Sequence, residues 1–400
     1  VNFPNLGHLI CSNIGLTTLD PVIHCKSIKY ISCDYNQLND VSVIEKLEKL
    51  EFFDCRKNNI ELPQLKHSSL VQLLCSHNII FETKLECPEL LYLDCSSNML
   101  EKIILECPNL EIFIAQKNHL EHLNCLLNCP KLTEVNCYQN QIKMFRGLRN
   151  ATKLKVLMGA KNFLKSIRDL KNCPELIFIN CSYNFNLPSL IGLENCTQLT
   201  TLYAEGCKIT NILPLKNCIR LNNIILTSNK ISSLDGIENC INLKEITLQG
   251  NQLTNLDQLS PLHNLEELYC DNNQITCVKG VENCKKLVYV HIDVNQLTDV
   301  SIFKGFPMLK EFVCNNNQIT NLNGLDGCNN LRSIVCCSNL IEDLSALNSL
   351  LNLESIICRN NKIKTIDNLN CLKLKYIDCS GNGLLNKNIK GCPNLERIIL

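Results

Sequence analysis

Apolar residues fall along this chain in a pattern that returns about every 22 positions. The segments Leu50-x-x-Phe53-x-Cys55-x-x-Asn58, Leu90-x-x-Leu93-x-Cys95-x-x-Asn98 and Leu265-x-x-Leu268-x-Cys270-x-x-Asn273 share one phrase. Apolar and polar positions alternate inside it, which predicts a short strand with its apolar side chains turned inward. The Asn column continues through Asn36, Asn78, Asn118, Asn140, Asn162, Asn184, Asn229, Asn251, Asn295, Asn317, Asn339, Asn361 and Asn382. Ile14 and Cys207 hold it in two further units, giving 18 complete cores. A nineteenth starts at Leu395-x-x-Ile398-x-Leu400.

Strands repeated at this interval stack in parallel at roughly 4.8 Å. The Asn sits where the chain leaves the strand, so its amide can satisfy backbone groups that the turn would bury. Cys207 offers only a weak donor, so its coil is expected to be looser. The returns, such as Gly236-Ile237-Glu238-Asn239-Cys240 and Gly280-Val281-Glu282-Asn283-Cys284, are too short for a full helix. Irregular backbone with 3₁₀ turns is expected there, with the glycines serving the turns. From Asn58 to Asn118 the Asn column advances in steps of 20, so those returns should be the tightest.

The phrase strongly resembles the leucine-rich-repeat family, and the 22-residue spacing is similar to its internalin and phosphatase-regulator subclass. The stretch from Asn251 to Leu265 is close to internalin phrasing. The resemblance covers nearly all of the chain. It implies an α/β-type leucine-rich-repeat solenoid, residues 1–400, with a curved parallel β-sheet on the concave face. Short 3₁₀ turns and irregular returns would form the convex face, with little true helix. It also implies a protein-binding role.

Composition changes this picture in one respect. There are 39 basic and 39 acidic residues, so nothing in the balance points to nucleic acid or an anionic membrane. No apolar run approaches the roughly 20 residues needed to span a bilayer. The opening Val-Asn-Phe-Pro-Asn has no leader character, lacks Met, and leaves a processed form or a piece of something longer as expectations. The 28 Cys are the unusual feature. Cys11, Cys33, Cys55, Cys75, Cys95, Cys137, Cys181, Cys270, Cys314, Cys336, Cys358 and Cys379 take the inward strand position. Twelve more, among them Cys87, Cys107, Cys240 and Cys284, lie three residues before the first Leu of a unit. Cys125, Cys207, Cys277 and Cys337 fall outside both columns. Small buried hydrophobes are the leading reading; a disulfide ladder or a metal site are the alternatives. Stacked parallel Cβ vectors stay farther apart than disulfides favour, and no Cys-x-x-Cys or Cys/His set has zinc spacing. Free thiols, a reducing and hence cytoplasmic compartment, and no metal or cofactor are expected. Cys337, turned to the concave side, is expected to react first.

The outward strand positions are where such a protein specialises. All nine Tyr lie there: Tyr30, Tyr35, Tyr92, Tyr138, Tyr183, Tyr203, Tyr269, Tyr289 and Tyr376, joined by Phe52 and Phe178. Either Tyr simply suits strands, or it supplies contact area for a partner. Two clusters stand out: Phe178, Tyr183 and Tyr203, and Tyr269 with Tyr289. The second sits with His291 among Glu245, Glu266, Glu267, Asp271, Asp293 and Glu311, with Lys244 and Lys310 nearby. This acidic, aromatic patch suits a basic or mixed partner surface; a solvated charged face is the alternative. No nucleophile set, paired-carboxylate motif or phosphate loop occurs. The expectation is a non-catalytic scaffold for another protein, with no nucleic acid, membrane or small-molecule substrate. The other readings are a docking arm of a larger enzyme, such as a GTPase, kinase or ubiquitin ligase, and a phosphatase-regulatory subunit. The unfinished last unit favours a missing remainder.

Overall fold

The computed structural model describes residues 3–385 and 389–400. Val1 and Asn2, which open the stretch read for a leader, lie outside them. The chain divides into two compact units, Val1–Leu199 and Thr200–Leu400. Each repeats the coil that the sequence announces: a three-residue strand, a tight turn at the column Asn, and a return.

In the first unit nine parallel strands form the main sheet among the described residues, from His8–Ile10 and Tyr30–Ser32 to Val156–Met158 and Phe178–Asn180. The middle residue of a strand faces the core, as with Ile31, Phe53 and Leu73, all 0% exposed. The residues on either side face out. Five returns contain 3₁₀ turns: Asp20–His24, Ser42–Lys46, Asn124–Asn128, Arg146–Leu148 and Arg168–Asn172. In the 20-residue coils the returns differ from expectation. They are extended, and Gln64–Lys66, Glu82–Glu86 and Lys102–Leu105 pair into a second, three-stranded parallel sheet. A strand rises about 3.3 Å per residue and a 3₁₀ helix about 2.0 Å. A coil two residues short covers the same return path by stretching.

The second unit carries ten parallel strands among the described residues, from Thr201–Tyr203 to Arg397–Ile399. Its 3₁₀ turns are Leu213–Leu215, Asp257–Leu259, Lys279–Val281, Ser301–Phe303, Asn323–Leu325 and Ser345–Ser349. No α-helix occurs among the described residues of either unit, and no helix is long and apolar enough to cross a membrane.

The Asn ladder forms as the residue type requires. Asn58 Nδ2 donates to the carbonyls of Cys33, Cys55 and Arg56 at 3.1, 3.1 and 3.2 Å, and its Oδ1 accepts the Leu38 N–H at 2.9 Å. The Cys33 carbonyl also takes Asn36 Nδ2, at 2.9 Å. Each rung therefore shares an acceptor with the next. At Cys207 the thiol donates to the Glu205 carbonyl of its own coil, at 3.6 Å. The residue before the column position is left-handed throughout, whether Lys57, His77, Tyr183 or Gly250. Even the β-branched Val294 is held there, at φ 51°, a conformation such residues rarely adopt.

All 28 cysteines are free, and both columns are buried apart from half-buried Cys11. The thiols do more than fill space. In the strand column Cys33 and Cys270 donate to the next coil's Asp54 and His291 carbonyls at 3.2 and 3.6 Å. In the return column Cys240 and Cys284 donate to the previous coil's Leu215 and Leu259 carbonyls, both at 3.6 Å. Burial pushes the Cys107 thiol up to about 11 and Cys137 up to about 12. The thiolate that would react is disfavoured there. Cys337 is half-buried, with its thiol pKa also raised by burial, whereas Cys277 is exposed. Exposure therefore favours Cys277, not Cys337, as the first thiol to meet a reagent.

Candidate functional site

The outward rows of the second unit's sheet put most of the expected patch together. The strand register aligns Glu245, Glu267, Tyr289 and Glu311 in one row, and Thr247, Tyr269, His291 and Val313 in the row beside it. Tyr269 Oη donates to Glu267 Oε2 at 2.8 Å. The His291 ring meets Tyr269 edge-on, 5.0 Å between centroids at 81°, and its Nε2 lies 3.3 Å from Glu311 Oε1. Glu245 accepts from Asn223 Nδ2. Burial, then the neighbouring Glu267 charge, raises the Glu245 carboxyl above its ordinary range. Burial first, then the hydrogen bond to Glu267, raises the Tyr269 phenol. Glu266 stands to one side, 3.3 Å from Lys244.

Two carboxylates of the expected patch have a different task. Asp271 Oδ1 accepts the Asp293 backbone N–H at 2.8 Å. Asp293 Oδ1 accepts the Asn315 N–H at 2.6 Å, and its Oδ2 accepts Asn315 Nδ2 at 3.0 Å. Asn315 Oδ1 then takes the Cys337 N–H at 2.7 Å. These side chains stitch successive coils together. Burial is the first cause of the raised Asp271 carboxyl, and Asp293's charge adds to it. The outward-facing patch is thus Glu245, Glu267, Tyr269, Tyr289, His291 and Glu311, an acidic frame around aromatic rings.

The other expected cluster is divided between the units. Phe178 lies in the first unit's last strand, in register with Val156. Tyr183 occupies a left-handed turn at φ 57°, with its ring edge-on to Phe185 at 6.4 Å and Lys161 Nζ 6.0 Å from its centroid. Phe185 is 61% exposed, and the outward columns did not flag it. Tyr203 opens the second unit, in register with Ile225. The first unit also holds an aromatic stack along one outward row. His8 lies 5.6 Å from Tyr30, and Tyr30 stacks on Phe52 at 4.3 Å and 4°. Beside it Asp54, 3% exposed, takes Arg56 through two side-chain bonds of 2.9 and 2.6 Å. The outward columns contained these residues, and only their register shows the stack.

Among the described residues no group of three or more His, Cys, Asp or Glu could hold a metal ion. Residues 263–305 and 307–349 each match the family described as Leucine Rich repeats (2 copies). These are leucine-rich repeats. No curated protein matches the chain. Among solved structures, an internalin of Listeria monocytogenes is 26% identical over 68% of this chain and 81% of its own, with a TM-score of 0.62. A leucine-rich-repeat protein of Leptospira interrogans is 21% identical over 93% of this chain and 89% of its own, at 0.66. The leucine-rich-repeat ectodomain of an Arabidopsis thaliana membrane receptor kinase, in complex with Casparian strip integrity factor 2, is 19% identical. It covers 96% of this chain and 51% of its own, at 0.64. The fold is therefore the parallel-sheet leucine-rich-repeat fold, with 3₁₀ and extended returns.

Proposed function

We propose that this leucine-rich-repeat chain is a non-catalytic scaffold that holds a basic segment of another protein on the outward sheet face of its second unit. The carrying observation is the patch itself: Glu245, Glu267 and Glu311 in one row with Tyr289, beside Tyr269 and His291. Tyr gives rigid, amphipathic contact area, and its ring face attracts cations. Carboxylates beside it complement Lys or Arg. The receptor ectodomain of the same fold, solved with a partner bound, supports protein binding as the class of function. The 22-residue strand offsets and the likeness to an internalin support placing the repeats in the internalin-like subclass.

Replacing Tyr269 and Tyr289 together with Ala is expected to remove the proteins that co-purify with the parent chain. An arginine-rich peptide should displace the same proteins. Central interface aromatics are worth about 2 kcal/mol or more each, enough to lower affinity by at least roughly tenfold. An unchanged partner set, in a variant with the parent's circular dichroism, would rule this face out.

We also propose that the chain works in a reducing compartment such as the cytoplasm. The thiols' hydrogen bonds to neighbouring carbonyls support this, because those bonds use the S–H that a disulfide would remove. A thiol titration of denatured protein, taken directly from its cells under alkylation, should count close to 28 free groups. A count well below that number sinks the assignment.

A further inference from the structure

A second charged feature lies on the return side of the first unit. Between Lys143 and Lys171 the chain carries nine Lys or Arg and one acidic residue, the half-buried Asp169. Six of the nine fall into two matching triads, Lys143-x-x-Arg146-x-x-Arg149 and Lys165-x-x-Arg168-x-x-Lys171. The triads are 22 residues apart, so successive coils stack each cation on its counterpart. Met144 bridges Ser166 in parallel, and the Lys165 N–H bonds the Lys143 carbonyl at 3.0 Å. Asn172 Nδ2 ties the far end by donating to the Arg149 carbonyl at 3.1 Å. Arg146 opens one 3₁₀ turn, Arg146–Leu148, with Arg149 as its C-cap, and Arg168 and Lys171 lie in the next, Arg168–Asn172, where residues three apart project in the same direction. Lys143 and Lys165 precede the turns, beside the Met144–Ser166 bridge. The result is a strip two coils wide with all six cations exposed. Lys143 pairs with Glu121 at 2.8 Å. The other five have no carboxylate partner among the described residues. At the end of the strip a hollow of about 580 Å³ opens between Arg149 and Lys171, lined also by Thr152 and Pro174.

We propose that this strip docks an extended acidic segment of a partner protein, at a site separate from the sheet face. Residues three apart along a 3₁₀ turn advance about 6 Å. Alternate side chains of an extended peptide advance about 6.7 Å. Glu or Asp at every second position therefore meets one cation after another, and the hollow seats a carboxylate where Arg149 can grip it through two N–H groups. The even balance of 39 basic and 39 acidic residues favours such a short-range partner. It supplies no long-range field of the kind that draws a protein to nucleic acid or a membrane.

The test uses the whole chain and a fluorescein-labelled peptide of alternating Glu and Ser, read by anisotropy. The parent should bind it, and binding should fall as salt screens exposed charges. Gln at Arg146, Arg149, Arg168 and Lys171 should weaken it by about tenfold, the combined loss of several exposed ion pairs. These cations are exposed, so the substitutions should leave the fold intact, and circular dichroism checks this. Tyr269→Ala should leave the peptide's binding unchanged, which separates this site from the sheet face. No binding, or binding indifferent to the four Gln, overturns the proposal. Tighter binding of single-stranded oligothymidylate or phosphatidylserine vesicles than of the peptide overturns the chosen occupant.

Discussion

Asn317→Ala lowers the unfolding free energy by about 3 kcal/mol. Asn317 is 8% exposed. Its Nδ2 donates to the carbonyls of Ile292, Cys314 and Asn315 at 3.0, 3.2 and 3.1 Å, and its Oδ1 accepts the Leu297 N–H at 3.0 Å. The losses are unequal. Ile292 O keeps a bond from Asn295 at 3.2 Å, and Cys314 O keeps one from Asn339 at 2.9 Å. The Leu297 N–H has lost the acceptor that served it, inside the coil. An orphaned buried donor costs about 1–3 kcal/mol, and the weakened carbonyls and vacated volume add to it. Denaturant midpoints of the two proteins, compared at equal slope, measure the difference. A loss below about 1 kcal/mol would mean that water replaces the rung and that the ladder is dispensable.

Gly280→Ala costs at least about 3 kcal/mol, for a reason unrelated to turns. A Cβ there would stand 1.8 Å from the Leu256 carbonyl oxygen, 2.4 Å from its carbon and 2.6 Å from the Asp257 Cα. All three atoms are backbone of the preceding coil, so no rotamer change relieves the clash and the coils must part. Gly7 is the control, because a Cβ added there would meet nothing within 4 Å. Gly7→Ala should be nearly neutral. Thermal melts of the two variants decide the matter. Equal losses would show that lost backbone freedom, not the approach between coils, sets the effect.

Gly280 also shows where the sequence was legible and where it was not. Its place in a return could be read from the repeat, but its purpose could not, because the atoms it avoids lie in another coil. The period gave the strands, the Asn turn and the inward cysteines, since each depends on residue type in a fixed column. The left-handed residue before the Asn has no signature in residue type, because Lys57, Tyr183 and Val294 share no chemistry; the ladder around them imposes the conformation. The extended returns depend on a path length that two missing residues must still cover. On the sheet face, columns separated outward from inward correctly at Tyr269 and Glu267. They could not show that Asp271 and Asp293 spend their carboxylates on neighbouring backbone, because structural and binding acids share those columns. The two cationic triads stand plainly in the sequence, but a balanced net charge averages them away and they lie outside the strand rows.

The shared acceptors of the Asn ladder bear on how such a gene can change length. Each Asn rung reaches the coil before it at the same relative position, as Asn58 does at Cys33 and Leu38. Duplicating or losing one whole coil gives the flanking coils neighbours of the kind they already had. Losing a few residues is tolerated only in the return, where the chain already shows both 3₁₀ and stretched solutions. Inheritance can therefore adjust how many coils the protein displays, in steps of about 5 Å, independently of what any one sheet-face residue recognises.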